Sequence, residues 1–219
     1  MTRPRSMVIL ALMGLVLLSA ASAQAAPAII DVLVDGTGSM RTPDFKKANE
    51  AVIEFIDAIY ARSQRRGGEL ADFISVNYWG SDKDYDGTRF INGSDLERLL
   101  KLAVWVNSKQ HPKYGNTHTY SAIAKALLEV RDFEQKLPVS GDTYYKFIVV
   151  ITDGQDNDRN TQIKKQVRAN FPNQYIHLFV IGVGSAADVS EFRGVADLVQ
   201  NINSFDRLTA AMLAVLDRM

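Results

Sequence analysis

Apolar and polar positions alternate in blocks along the chain, strand-like runs giving way to helical stripes almost throughout. Ala28–Val34 is apolar at every position but Asp31, and that density predicts a strand buried on both faces. Thr42-Pro43-Asp44 opens a helix, with Thr42 as N-cap, proline at the first helical position and an acid beside the positive helix end. Phe45, Ala48, Val52, Phe55, Ile56 and Ile59 follow at helical spacing, and Gly67-Gly68 stops the pattern. The Arg62–Arg66 cluster reads as a solvated last turn. Phe73–Trp79 predicts a second strand, Ser81–Gly87 a turn, and Thr88–Ile91 a short return strand at the sheet edge. Ser94-Asp95-Leu96-Glu97 is a capping box for a helix carrying Leu96, Leu99, Leu100 and Ala103. Beyond the loop Asn107–Asn116, Thr119–Asp132 is a helix with Ala122, Ile123, Ala126, Leu127 and Val130 on one face.

Tyr145–Thr152 is the most continuous apolar strand and ends at Asp153-Gly154. Asn160–Asn170 reads as a helix, Tyr175–Val183 as a buried strand, Ala186–Arg193 as a weak helical stretch and Val195–Asn201 as the last strand. Ser204 is placed to cap a final helix with Phe205, Leu208, Met212, Val215 and Leu216. This alternation predicts an α/β fold: a doubly wound, mostly parallel sheet with helices on both faces and one short antiparallel edge strand. In such sheets ligands bind beyond the carboxyl ends of the strands, where strand order reverses.

Residues 1–23 stand apart from this pattern. Arg3 and Arg5, the short apolar run Met7–Leu18 and Ala21-Ser22-Ala23 read as a signal peptide. The run is too short for a spanning helix, which needs about 20 residues. The expected domain is therefore 28–219, in an exported chain without a membrane span after cleavage, periplasmic or secreted. The short, alanine-rich signal favours a bacterial source. The whole chain balances 25 basic against 25 acidic residues; losing Arg3 and Arg5 leaves 23 against 25, a net of −2. Such a balance gives no basis for nucleic-acid binding. The absence of cysteine excludes disulfides and thiolate metal sites, so the core alone must hold the fold.

Asp35-Gly36-Thr37-Gly38-Ser39 sits directly after the first strand. A carboxylate and two hydroxyls at alternate positions, with glycines that allow a tight bend, form a compact oxygen set of the kind Mg²⁺ takes at roughly 2.0–2.1 Å. The same residues are also ordinary turn and cap formers. Asp35 and Asp153 both end apolar strands, and Thr117 precedes a helix in a glycine-containing loop, so the fold can bring three separated loops to one crevice.

With these residues in these places the sequence resembles the von Willebrand factor A domain family. That family's metal-ion-dependent adhesion site is Asp-x-Ser-x-Ser after the first strand, a threonine in a later loop and an aspartate after the fourth strand. Asp35–Ser39 followed by Met40, Gly115-Asn116-Thr117-His118-Thr119-Tyr120-Ser121-Ala122 and Ile148–Asp153-Gly154 fit these three motifs in order. The resemblance implies that Thr37, Ser39 and Thr117 offer hydroxyls to the metal. It implies that Asp35 and Asp153 act through hydrogen bonds to those hydroxyls and to metal-bound water. The implied cofactor is Mg²⁺, with Mn²⁺ or Ca²⁺ as alternatives, and the implied partner is a protein presenting an Asp or Glu. The implied role is capture without turnover. Thr37 stands where the family usually has serine, so a methyl group crowds the site. Thr117 is preferred to Thr119 because it follows Gly115-Asn116, where the family has a glycine pair.

Other motifs are weaker. Asp82, Asp84 and Asp86 match the first half of an EF-hand loop, but Gly93 stands where a bidentate glutamate is required. An acidic hairpin turn is the simpler reading, with an accessory Ca²⁺ site as the alternative. Asp156-Asn157-Asp158 reads as the start of the following helix, with Asp156 and His118 as candidate partner contacts. His111, His118 and His177 have no zinc-site spacing. A metal-assisted hydrolase on the same fold is the alternative function, although no general base or nucleophile-elbow pattern accompanies the motifs.

Overall fold

The computed structural model describes residues 26–66, 70–81, 83–138, 144–172, 174–185 and 187–219. The expected signal segment 1–23, Gly67-Gly68 and Asp82 lie outside the described residues. The elements are β1 Ala28–Asp35, α1 Thr42–Arg65, β2 Phe73–Trp79, β3 Tyr85–Gly87, β4 Ile91–Asn92, α2 Leu96–Asn107, α3 Thr119–Glu134, β5 Tyr145–Thr152, α4 Thr161–Asn170, β6 Ile176–Val183, β7 Leu198–Ile202 and α5 Leu208–Leu216. Short 3₁₀ turns at Ser190–Phe192 and Phe205–Arg207 precede β7 and α5.

They form one seven-stranded sheet in the order β3-β2-β1-β5-β6-β7, with β4 also paired to β2. β2, β1, β5, β6 and β7 run parallel, and β3 and β4 return antiparallel along β2. The period-two alternation of each strand divides the core between two faces. Ile30, Val32 and Val34 of β1 lie under α1, α2 and α5, while Ile29 and Leu33 lie under α3 and α4. Asp31 and Asp35 share the parity of Leu33 and so face α3. From β1 the chain proceeds to β2 on one side, and β5 joins on the other, so strand order reverses between β1 and β5. The crevice predicted for a ligand is therefore at the carboxyl ends of Asp35 and Thr152.

Several local readings shift. Arg41 is the N-cap of α1, one residue before the expected Thr42, and Asp95 replaces Ser94 at the start of α2, its carboxylate accepting the Arg98 N–H. The expected return strand splits in two: Tyr85–Gly87, read as turn, pairs with Asn77–Trp79, and Ile91–Asn92 pairs with Phe73–Ile74. The last strand starts at Leu198, three residues later than expected. The arginine cluster is not a fully solvated helix end. Arg66 Nη1 lies 2.6 Å and Arg62 Nη1 3.5 Å from Asp72, whose carboxylate is fully buried. Asp72 Oδ1 also accepts the Ala28 N–H at 2.8 Å, so this pair secures the entry to β1.

Candidate metal centre

The site starts with Asp35, the last residue of β1, fully buried on the α3 face. Its Oδ1 accepts the Thr37 N–H at 2.9 Å and the Thr37 hydroxyl at 2.7 Å. Its Oδ2 accepts the Thr152 hydroxyl at 2.6 Å. Both carboxylate oxygens are thus occupied in orienting hydroxyl side chains. Burial pushes the Asp35 carboxyl up to about 6, against the pull of the Thr152 and Thr37 hydrogen bonds.

The remaining oxygens converge above it. Thr37 Oγ1 lies 2.8 Å from Ser39 Oγ and 3.3 Å from Thr117 Oγ1. The Ser39 hydroxyl donates to Asp153 Oδ1 at 2.8 Å. Partial burial raises the Asp153 carboxyl as well, the Ser39 hydrogen bond acting in the opposite sense. A cation beside these groups favours their charged forms. Three hydroxyls and a carboxylate from three loops therefore meet at the sheet's switch point.

The oxygen spacings suit a small hard cation. With ligands at 2.0–2.1 Å in octahedral geometry, adjacent ligand atoms lie about 2.9 Å apart. The separations around Thr37, 2.8 Å to Ser39 and 3.3 Å to Thr117, fall around that value. Gly154 keeps the neighbouring space open: a Cβ there would stand 3.6 Å from Thr117 Oγ1 and 3.7 Å from Ser39 Oγ.

Backbone contacts fix the loops. Gly36 N–H donates to the Trp79 carbonyl, Gly38 N–H to the Tyr114 carbonyl, and the Lys113 and Tyr114 N–H groups both donate to the Gly36 carbonyl. The Tyr114 ring packs over Gly36 and Gly80, where a Cβ would meet ring carbons at 2.8 Å and 2.7 Å respectively. These glycines are required by close approach, in addition to any turn they allow.

The family model for the von Willebrand factor type A domain matches residues 30–207. The chain belongs to the von Willebrand factor type A family. Solved structures with the same fold include proximal thread matrix protein 1 from the mussel byssus, at 14% identity and TM-score 0.63, covering 88% of this chain and 48% of that one. The pilus adhesin SpaC from Lactobacillus rhamnosus GG, in an open conformation, matches at 12% identity and TM-score 0.64, over 88% of this chain and 30% of the adhesin. Manganese-loaded TRAP protein of Plasmodium vivax matches at 19% identity and TM-score 0.55, over 85% and 63%. The chain spans less than two thirds of the length of each. No curated relative matches its sequence.

Within this von Willebrand factor A domain, the five expected residues Asp35, Thr37, Ser39, Thr117 and Asp153 form one connected hydrogen-bonded cluster. Thr117, rather than Thr119, is the residue within reach of Thr37; Thr119 is the first residue of α3, and its buried hydroxyl has no partner among the described residues. In the acidic hairpin, Asp84 and Asp86 are engaged by neighbouring groups, while Asp82 lies outside the described residues. Asp84 Oδ2 accepts the Ser81 hydroxyl and N–H, and Asp86 pairs with Lys109 Nζ at 2.5 Å. Among the described residues no group of three or more His and acidic side chains converges. His118 precedes α3 and donates its N–H to the Gly80 carbonyl.

Asp156 does not face outward as a partner contact would. Its side chain is fully buried, its Oδ1 accepts the Thr119 N–H at 2.7 Å, and Lys164 Nζ lies 2.5 Å from its Oδ2. It caps α3, the helix before it in sequence, and Asn160 caps α4. Two residues escaped sequence reading: Thr152, which holds Asp35, and Asn157, which holds Thr117. Thr152 carried a usable signal, since a threonine ending a buried strand beside Asp35 is a polar group that needs a partner.

Proposed function

We propose that this domain binds a divalent cation, Mg²⁺ or Mn²⁺, and through it captures a protein partner presenting an Asp or Glu side chain. The observation that carries the reading is the hydroxyl trio Thr37, Ser39 and Thr117, spaced for a small cation at the switch point and backed by Asp35 and Asp153. Those three hydroxyls would hold the ion. Asp35 keeps Thr37 turned toward it, and Asp153 keeps Ser39 so, which is how carboxylates beyond the ligand shell tune a site. When bound, the cation supplies a positive centre underneutralised by neutral hydroxyl ligands, and hence attractive to a partner carboxylate. The names of the pilus adhesin and the manganese-loaded protein of the same fold support both halves of this reading. In this reading the domain runs from 28 to 219 and is exported after removal of 1–23. No helix among the described residues is long and apolar enough to cross a membrane.

Calorimetry on metal-stripped protein tests the first half. Mg²⁺ and Mn²⁺ should each bind, and Asp35→Ala should abolish the heat. A flat titration with both ions refutes the site. Capture of Asp-containing peptides, compared with Asn-substituted copies and with chelator present, tests the second half. Binding that survives both changes refutes the carboxylate bridge.

A further inference from the structure

The segment between Asp153 and α4 grips the threonine loop at successive positions. Asn157 takes both backbone polar groups of Thr117: its Oδ1 accepts the Thr117 N–H at 3.1 Å, and its own N–H donates to the Thr117 carbonyl at 2.9 Å. Asp156 Oδ1 accepts the Thr119 N–H at 2.7 Å and the Tyr120 N–H at 3.4 Å. Asp158 Oδ2 accepts the Ser121 hydroxyl at 2.5 Å, and its Oδ1 accepts the Asn160 N–H at 2.8 Å. Three consecutive residues thus hold Thr117, Thr119, Tyr120 and Ser121. Lys164 of α4 sits behind them, 2.5 Å from Asp156 and 3.5 Å from Glu191.

Asn157's share of the grip is not a core contact. Asn157 is exposed, while the apolar contacts of α3 are made by Ile123, Ala126, Leu127 and Val130. His118 offers α3 no side-chain cap, so Asp156 supplies one from another loop. The consequence falls on Thr117, whose hydroxyl is the most distant member of the trio, at 3.3 Å from Thr37. Its backbone is held on both sides by one exposed side chain and that residue's own amide.

We infer that Asp156-Asn157-Asp158 is a clasp that sets the position of Thr117, with Asn157 the positioning residue, so that a side chain outside the ligand set governs the cation affinity of the site. This rests on the proposed metal-binding function and adds to it a determinant of affinity that lies on the Asp153 side of the crevice. Removing such an orienting partner from a metal site typically lowers affinity roughly 10–100-fold.

The test uses the full chain and Mn²⁺. Asn157→Ala should weaken Mn²⁺ binding by about tenfold or more. Asn157→Asp, which keeps an acceptor at Oδ1, should bind at least as tightly as the parent. Because Asn157 acts through Thr117, Asn157→Ala should cost nothing further in a Thr117→Ala background. The electron paramagnetic resonance spectrum of Mn²⁺ bound to Asn157→Ala should move toward that of Thr117→Ala. A general loss of folding would produce neither the rescue nor this convergence. Asn157→Ser is the second truncation should the alanine variant lose its circular dichroism signature, and it should show the same weakening. Parent-like affinity in the truncations, equal loss in Asn157→Asp, or additive losses in the double variant would each overturn the clasp while leaving the metal site standing. Failure of the parent itself to bind Mn²⁺ would overturn both.

Discussion

The Thr152 hydroxyl donates to Asp35 Oδ2 at 2.6 Å, joining the carboxyl ends of neighbouring parallel strands β1 and β5. Asp35 is fully buried and Thr152 nearly so, so neither group has water as a substitute partner. Thr152→Val keeps the shape and removes the donor. It leaves one buried carboxylate oxygen unpaired, which costs about 1–3 kcal/mol. Urea unfolding should show that loss, and Mn²⁺ affinity should fall with it because Asp35 then holds Thr37 less firmly. Unchanged stability and affinity would mean that Thr152 is incidental to the site.

Tyr114 makes a second prediction. A Cβ at Gly80 would lie 2.1 Å from Tyr114 Cβ, an atom near the backbone that cannot swing aside, and the Tyr114 backbone holds Gly36 and Gly38 on either side of Thr37. Gly80→Ala should destabilise by about 1–3 kcal/mol through overpacking and should displace the metal loop. Gly115→Ala, with no heavy atom within 4 Å of the added carbon, is the matched control and should be neutral in both readouts. Equal behaviour of the two variants in thermal melts and in metal titration would discount the clamp.

How much of this was legible in the sequence depended on whether the cause was local. The stripe Phe45–Ile59 and the run Tyr145–Thr152 announced α1 and β5 through periodicity, because burial on one or both faces imposes it. That Asp35, Thr37, Ser39, Thr117 and Asp153 come together was legible because each sits near a strand or helix end that the pattern locates. Tyr85–Gly87 was not: Asp-Tyr-Asp-Gly has turn composition, and only pairing with Asn77–Trp79, where the Asn77 side chain fills the space Gly87 leaves, makes it a strand. Asn157 was not legible for a related reason. Its partner is 40 positions away, and nothing in an Asp-Asn-Asp run tells which helix it will cap.

Gly154 offers a way to close the site without touching a ligand. Its backbone is outside the left-handed region, so a side chain introduces no backbone strain. Gly154→Ala places a carbon in ordinary contact with Thr117 Oγ1 and Ser39 Oγ and should bind Mn²⁺ close to normally. Gly154→Val adds branches into the remaining space and should weaken binding at least tenfold, which corresponds to about 1.4 kcal/mol. Melting in chelator should be little changed for both. Normal binding by the valine variant would place the cation elsewhere.

The last prediction concerns Asp31, two strand repeats below Asp35 on the same face and fully buried. Its Oδ1 accepts the Ser75 hydroxyl at 3.0 Å and the Asn77 Nδ2–H at 2.6 Å, while Oδ2 has no partner among the described residues. Around it stand Ser75 and Asn77 of β2, Tyr85 of β3, and Glu129 of α3, whose Oε2 accepts the Tyr85 hydroxyl; Lys125 of α3 lies over the Tyr85 ring. Burial, then the charge of Glu129, push the Asp31 carboxyl from 3.8 up to about 7. The folded protein therefore holds this proton more tightly than the unfolded chain. The resulting stabilisation is complete below about pH 4 and is lost as pH rises through 7, the loss reaching about 4 kcal/mol at most once the carboxyl is fully ionised. Asp31→Asn keeps the acceptor for Ser75 and Asn77 and replaces the ionisable oxygen with a neutral amide. Its stability in urea should exceed that of the parent at pH 8, with the gap closing toward pH 5. A variant less stable than the parent at pH 8 would show that the charged carboxylate is the form the fold prefers.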